Sequence, residues 1–128
     1  MHATATWISG DQLELSVRGK TYITDQQSGE VADPSPADFF LASYAGCIGF
    51  YAAKILRRKG FEPKGLAVLV KGYFGEDPHR IGALEASVTL PSGLSPELRE
   101  MAQRAAESCL IHHTLQHPPQ ITFSYDSL

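Results

Sequence analysis

The sequence has little of what several functional classes require. Only 2 of its 128 residues are cysteine and 1 is tryptophan, and 11 basic residues stand against 14 acidic ones, which gives a net charge of −3. A weakly acidic chain without a basic run gives no electrostatic reason to bind nucleic acid or an anionic membrane. We therefore expect no nucleic acid and no membrane among its partners.

Targeting signals and long apolar runs are also lacking. The start, MHATATWISGDQ, has no basic segment followed by an apolar one, and no apolar run approaches the length of a membrane span. We therefore expect a cytoplasmic protein. In that compartment, two cysteines are more often free or catalytic thiols than a structural disulfide. No CxxC or HExxH pattern accompanies them, so we expect no metal and no cofactor.

The pattern along the chain predicts one domain over residues 1–128. Three strands precede a long helix, two strands lie between that helix and a second one, and one strand ends the chain. A loop with few apolar residues is predicted at Gln26–Ser35. This order favours an α+β fold with helices over one face of a largely antiparallel sheet. The predicted strands are Thr4–Ser9, Leu13–Val17, Thr21–Asp25, Gly65–Phe74, Leu84–Leu90 and Ile121–Tyr125.

The first helix has clear end signals. Ser35 can cap it, Pro36 suits its first turn, and Asp38 completes a capping-box pattern, while the segment RRKG predicts its end. Its apolar residues lie almost all round the helix, which predicts burial on more than one side.

Two glycines flank a cysteine in the middle of this helix. Gly46 and Gly49 lie beside Cys47, and each costs up to about 1 kcal/mol in a helix interior relative to alanine. Small residues allow another backbone to come close. That backbone could belong to the domain's own sheet or to the same helix of a second subunit across a two-fold axis.

The second helix is predicted to start at Ser95, with an apolar stripe that ends at Cys109 and faces the core. Each cysteine alone could be a small buried apolar residue. If Cys47 and Cys109 meet, however, one thiolate can attack a peroxide and become a sulfenic acid, and the other thiol can condense with it into a disulfide. This chemistry needs a cation near the thiolate, for which Arg18, Arg80 and the histidines are candidates.

The histidines after the second cysteine form the segment HHTLQH. His113 and His117 have i, i+4 spacing, but the prolines that follow break a helix at that point. Without further ligands at set spacing, we interpret His112, His113 and His117 as a polar helix exit rather than a metal site.

Two segments resemble the cysteine motifs of the OsmC/Ohr family of small thiol proteins, and the resemblance covers essentially the whole chain. They are DPSPADFFLASYAGC and ESCLIHHTL. The resemblance implies an OsmC-like α+β fold with antiparallel sheets and a long central helix. It also implies an intertwined homodimer with active sites at the subunit interface.

The resemblance further implies roles for individual residues. Cys47 would attack organic hydroperoxides and Cys109 would resolve the product. The family's thiolate-stabilising arginine has its best match in Arg18. Its glutamate falls on Ala37, and the acidic residue here is Asp38, as in the OsmC-like branch. The proline that commonly follows the second cysteine is Leu110.

Three functions follow as hypotheses. The first is a cysteine-based peroxidase that a dithiol reductant regenerates, with an aromatic lining that favours fatty or aromatic hydroperoxides. The second is a non-catalytic dimer that binds an apolar, lipid-like or aromatic ligand at the subunit interface. The third is a stable dimer with inert buried cysteines. The predicted lining residues are Phe39, Phe40, Tyr44 and Tyr51.

Overall fold

A computed structural model describes residues 1–26 and 32–128 of the chain. It divides into two compact units, Met1–Ser43 and Tyr44–Leu128. Half of the loop predicted at Gln26–Ser35, residues 27–31, lies outside the described residues. The prediction of one domain over residues 1–128 stays a prediction.

The first unit contains the predicted β-meander. Strands β1 (Thr4–Ser9), β2 (Gln12–Val17) and β3 (Lys20–Thr24) form an antiparallel sheet in the order β1-β2-β3. Arg18 and Gly19 connect β2 to β3 with φ angles of 51° and 75°. Two successive residues with positive φ are typical of the tight hairpin turns that match the twist of the strands. The turn predicted at this position is therefore confirmed.

Helix α1 (Pro36–Arg58) begins as its sequence predicts. The Ser35 amide and hydroxyl each donate to Asp38 Oδ2 at 2.9 Å, and the Asp38 amide donates to Ser35 Oγ at 3.2 Å. This is a complete capping box. At the other end, the Phe61 amide donates to the Leu56 carbonyl at 2.9 Å, and Gly60 adopts a φ of 76°. That combination is the Schellman motif, in which glycine ends a helix.

The second unit holds a hairpin and two helices after the end of α1. Strands β4 (Ala67–Gly75) and β5 (Arg80–Thr89) pair antiparallel, and helix α2 (Pro96–Ala106) and helix α3 (Leu110–Gln116) follow. Ser95 caps α2 by accepting from the Leu98 amide at 3.1 Å, as predicted. The two sheets and the long helix confirm the α+β fold class.

The hairpin tip extends further than predicted. β5 begins at Arg80 rather than at Leu84, because Gly75 and Gly82 let the strands approach closely near the tip. A Cβ atom on Gly82 would lie 2.9 Å from the Cα atom of Gly75, which is shorter than real contacts allow.

The core of the second unit lies between α1 and the β4–β5 hairpin. Four strand residues, Val68, Val70, Leu84 and Val88, pack against it. A Cβ atom on Gly49 would lie 3.5 Å from Val68 Cγ2, so this glycine packs against the chain's own sheet. At Gly46, no atom of the described residues lies within 4 Å of the equivalent position, apart from its chain neighbours and the nearby backbone of α1. The buried residues of the core cluster are Tyr44, Ile48, Ala52, Ala106 and Cys109.

Two predictions about the end of the chain are wrong. Helix α2 ends at Ala106 and does not carry the apolar stripe on to Cys109. Residues 118–128 are described without helix or strand, so the strand predicted at Ile121–Tyr125 is not formed. Ile121 and Phe123 are 70% and 79% exposed. Alternating apolar residues give a segment the propensity for a strand, but a strand also needs a neighbouring edge to receive its hydrogen bonds.

The expectation that no apolar run approaches the length of a membrane span is wrong for helix α1. It has 23 residues and a mean hydropathy of 1.5 over its most apolar window, so by length and composition alone it could cross a membrane. The buried core helix of a compact protein has the same composition. Here Tyr44, Ile48, Ala52 and Leu56 form its buried side.

Candidate active site

The two thiols meet in the second unit. Cys47 lies in the middle of α1 and is half-buried, whereas Cys109 is fully buried, and both are free. Burial raises the pKa of the Cys109 thiol, a hydrogen bond from the His112 amide opposes this, and a hydrogen bond with the Cys47 side chain raises it further. Cys109 is therefore a neutral thiol at neutral pH, in contact with a thiol that solvent can reach.

The local sequence places the Cys109 sulfur at the start of α3. Ser108 closes the preceding helix by donating from Oγ to the Arg104 carbonyl at 2.8 Å. The chain then extends at Cys109, whose φ and ψ are −68° and 153°. The sulfur accepts from the His112 amide at 3.3 Å. Cys109 is thus the N-cap of α3, a position that usually takes an oxygen-bearing side chain.

A tyrosine and a histidine complete the polar part of the site. The Tyr44 hydroxyl lies 2.8 Å from His112 Nδ1, and the two rings are nearly parallel, at 2°. Burial raises the pKa of Tyr44, and the nearby Cys109 and Cys47 thiols raise it further. This contact is not predicted from the sequence, in which Tyr44 is interpreted as apolar lining and His112 as part of a polar helix exit.

A spacing in the sequence could have revealed the pair. Tyr44 comes three residues before Cys47, and His112 comes three residues after Cys109. Tyr44 and Cys47, three apart on a helix, share one face, and the residue three after an N-cap is the one whose amide the cap side chain binds. Once the two thiols are assumed to meet, these offsets bring the tyrosine and the histidine toward the same place.

A cleft of about 650 Å³ opens between α1, β5 and α2. Apolar side chains of β5 form one wall, and charged side chains of α2 form the other. Tyr44 and His112 both line it, so their hydrogen bond can be reached from this side. The charged lining residues are Arg99, Glu100, Arg104 and Glu107.

The family of the chain follows from its sequence. Residues 27–124 match the model of a family described as OsmC-like protein. The chain belongs to this family. Among curated proteins, none matches the sequence.

Solved structures agree with this assignment of the OsmC-like fold. An OsmC-like protein from Mycoplasma pneumoniae has a TM-score of 0.76 and 18% identity, with 91% of this chain and 87% of that chain covered. An OsmC-like protein of unknown function from Vibrio cholerae has a TM-score of 0.69 and 16% identity, with 88% and 91% covered. The organic hydroperoxide resistance protein OhrB of Bacillus subtilis has a TM-score of 0.57 and 19% identity, with 92% and 93% covered. At these identities the likeness shows the fold.

Arg18 and Asp38, the two predicted charged residues of this OsmC-like chain, belong to the first unit. Arg18 lies exposed in the turn between β2 and β3. The Asp38 carboxylate binds Ser35 in the capping box, which agrees with the structural interpretation of this residue. Their action on a thiolate stays a prediction.

The four predicted lining residues have different surroundings. In the first unit, Phe39 and Phe40 are half-buried, and Phe39 meets the ring of Tyr22 edge-on at 6.2 Å. In the second unit, Tyr51 is 38% exposed, whereas Tyr44 is only 7% exposed. Tyr44 is therefore a core residue with one polar contact, and a role of all four in binding substrate stays a prediction.

The histidine cluster of this OsmC-like chain has no metal-binding geometry among the described residues, where no group of three or more His, Cys, Asp or Glu side chains could hold an ion. His112 is instead engaged with Tyr44. The neighbouring His113 is exposed.

Proposed function

We propose that this chain is a cysteine-based peroxidase that reduces organic hydroperoxides. The observation that carries the proposal is that a half-buried thiol, Cys47, packs against the buried cluster that contains the thiol of Cys109. A peroxide can approach only a thiol that is open to it, and the resolving thiol must already lie beside the oxidised sulfur. Family membership supports the proposal, since the family's solved structures include organic hydroperoxide resistance proteins.

The reaction runs in three balanced steps. The Cys47 thiolate attacks the O–O bond of the hydroperoxide, becomes a sulfenic acid and, with one proton, releases an alcohol. The Cys109 thiol then attacks the sulfenic sulfur, which forms the Cys47–Cys109 disulfide and releases water. A dithiol reductant restores both thiols and is itself oxidised to a disulfide. Before the second step, the Cys109 thiol must give up its proton, which its raised pKa makes harder.

A homodimer is part of the same proposal. Phe50 is 76% exposed on α1. Outside its chain neighbours and the nearby backbone of α1, no atom of the described residues lies within 4 Å of a Cβ position on Gly46. A groove of about 580 Å³ on this side of α1 is lined by Phe50, Ala53, Lys54, Arg57 and Arg58. An exposed aromatic beside a glycine fits a second copy of the same helix, packed across a two-fold axis. We also propose that the protein works in the cytoplasm.

The test is the consumption of cumene hydroperoxide in the presence of dithiothreitol, with hydrogen peroxide for comparison. We expect many turnovers for the wild type and none for Cys47→Ser. Cys109→Ser, in which dithiothreitol must reduce the Cys47 sulfenic acid directly, should turn over more slowly and accumulate sulfinic acid on Cys47, which mass spectrometry detects. Tyr73→Phe, an exposed tyrosine on β4, is the control and should match the wild type. A wild type that consumes no organic hydroperoxide, or a Cys47→Ser variant that is equally active, contradicts the proposal.

One observation favours the second hypothesis, a non-catalytic dimer that binds an apolar ligand. Asp38 Oδ2 accepts from both the amide and the hydroxyl of Ser35, so part of its acceptor capacity is already used by the capping box. Native mass spectrometry of the purified protein discriminates between the two functions. A co-purified apolar ligand, together with thiols that do not react with hydroperoxide, would favour binding over catalysis.

A further inference from the structure

One polar contact joins the two segments that carry the thiols. The hydrogen bond between the Tyr44 hydroxyl and His112 Nδ1, at 2.8 Å, spans 68 residues of sequence. Tyr44 lies on α1 one turn before Cys47, and His112 lies on α3 one turn after Cys109. The contact therefore fixes the start of α3 against the part of α1 that holds the reachable thiol.

We propose that Tyr44 and His112 form a thiol clamp, a pair of positioning residues that keeps the Cys109 sulfur within bonding reach of Cys47. The proposal deepens the proposed function, on which its consequence for peroxide reduction rests. The positioning of the Cys109 sulfur does not depend on peroxidase activity, because it requires only the two thiols.

Helix α3 depends on the Tyr44–His112 hydrogen bond because it makes few other packing contacts among the described residues. It has seven residues, none of them buried, and a helix this short is unstable in water on its own. Leu110 and Leu115 are 58% and 38% exposed, and Ile111 packs only partly buried against the core. Tyr44 itself is only 7% exposed. Its hydrogen bond to His112 is thus a main link between α3 and α1.

The clamp reaches the Cys109 sulfur through the backbone. His112 holds Tyr44 with its ring and donates its amide hydrogen to Cys109 Sγ at 3.3 Å. Both contacts come from one residue, so a shift of His112 moves the hydrogen-bond donor of the sulfur as well. The hydroxyl of Tyr44 keeps its proton at neutral pH, because burial raises its pKa. Either neutral tautomer of His112 preserves the bond, with the hydroxyl as donor or as acceptor.

The clamp bears on a competition between two reactions of the oxidised Cys47. The sulfenic acid can react with the Cys109 thiol, which gives the disulfide and water. It can also react with a second hydroperoxide, which gives a sulfinic acid and an alcohol and ends the cycle. A thiol held in place favours the first reaction, since fixed geometry replaces a search by the chain.

The first experiment measures, without peroxide, how the clamp affects the equilibrium formation of the Cys47–Cys109 disulfide. The wild type and variants are equilibrated with reduced and oxidised glutathione, and the fraction with the Cys47–Cys109 disulfide is determined by acid quenching and mass spectrometry. The loss of one neutral hydrogen bond should lower the equilibrium constant for the disulfide roughly two- to tenfold in Tyr44→Phe and in His112→Ala. His112→Asn, which keeps a polar group near the position of Nδ1, should recover part of the loss.

Matched controls separate the clamp from general destabilisation. Tyr73→Phe removes a hydroxyl from an exposed tyrosine that bonds Glu85 at 3.1 Å, and His113→Asn changes the neighbouring exposed histidine. Both should leave the equilibrium constant unchanged. The double variant Tyr44→Phe/His112→Ala should behave like either single variant, because both remove the same bond. Additive losses, equal losses in the controls, or a wild type that forms no disulfide would overturn the clamp.

The second experiment follows a single turnover with cumene hydroperoxide. In Tyr44→Phe we expect the sulfenic acid to form at the wild-type rate and the disulfide to form more slowly, with more sulfinic acid on Cys47. A purely structural role would slow both steps. If wild type consumes no hydroperoxide while the glutathione equilibrium still depends on Tyr44, the proposed function fails and the clamp stands. If wild type turns over and Tyr44→Phe forms the disulfide equally fast, the clamp fails and the function stands.

Discussion

Substitution of Cys109 tests whether its sulfur acts as a helix cap as well as a thiol. Cys109→Ala removes the acceptor of the His112 amide, at 3.3 Å, which costs about 1 kcal/mol for a lost N-cap. It also leaves a small cavity at a fully buried position, which costs about 1 kcal/mol more. Cys109→Ser keeps an acceptor for the amide and costs about 1 kcal/mol for burial of its hydroxyl. We therefore expect serine to be more stable than alanine by about 1 kcal/mol.

The order of the two variants is decisive, because an apolar pocket without a cap would favour alanine over a buried hydroxyl. The assay is reversible urea unfolding under reducing conditions at one fixed protomer concentration, so that dimer formation affects all samples equally. Cys47 provides the control, since it lies inside α1, where alanine has the higher helix propensity. There alanine should be more stable than serine. If Cys109→Ala equals or exceeds Cys109→Ser in stability, the capping role is refuted.

Four further outcomes are expected. Burial raises the pKa of the Cys109 thiol above its usual 9.0, so in alkali the unfolded chain loses this proton first. The contribution of Cys109 to the free energy of unfolding is then constant below about pH 9 and falls as the pH rises toward the folded pKa, and Cys109→Ala should remove this part of the fall in urea titrations. Iodoacetamide should modify the half-buried Cys47 well before the buried Cys109, and equal rates by peptide mass spectrometry would contradict the difference in access. Gly49→Ala should stabilise the fold by up to about 1 kcal/mol in urea unfolding, because its Cβ would make an ordinary contact of 3.5 Å with Val68. Gly46→Leu should leave the fold intact and weaken the proposed dimer in analytical ultracentrifugation, whereas a self-association equal to that of the wild type would exclude the proposed helix contact at Gly46.

The elements with local signals could be predicted from the sequence. The Ser35 capping box, the Ser95 cap and the glycine stop at Gly60 each depend on residues within a few positions of one another. Such signals act through hydrogen bonds inside one turn, so they survive without knowledge of the rest of the fold. The burial of Cys109 was also correctly predicted, although its place at the start of a separate helix was not.

Features that depend on distant partners could not be predicted in the same way. The Tyr44–His112 bond joins residues 68 positions apart, and neither residue type announces the contact. The expected strand at Ile121–Tyr125 had the right alternation, but alternation does not supply a neighbouring strand. The predicted extension of α2 to Cys109 is wrong because a local hydrogen bond overrides the apolar pattern. Its apolar stripe continues past Ala106, while the hydroxyl of Ser108 bonds the Arg104 carbonyl and ends the helix.

The break between α2 and α3 makes the chain sensitive to length at this point as well as to residue type. Only residues 107–109 separate the two helices, and the sulfur faces its partner because the new helix begins one residue after it. One inserted or deleted residue would shift the start of α3, and with it the Cys109 sulfur, relative to the end of α2. Substitutions at Glu107 can be absorbed at the exposed surface. We therefore expect natural variants of this chain to differ at position 107 and to agree in the length of the connection.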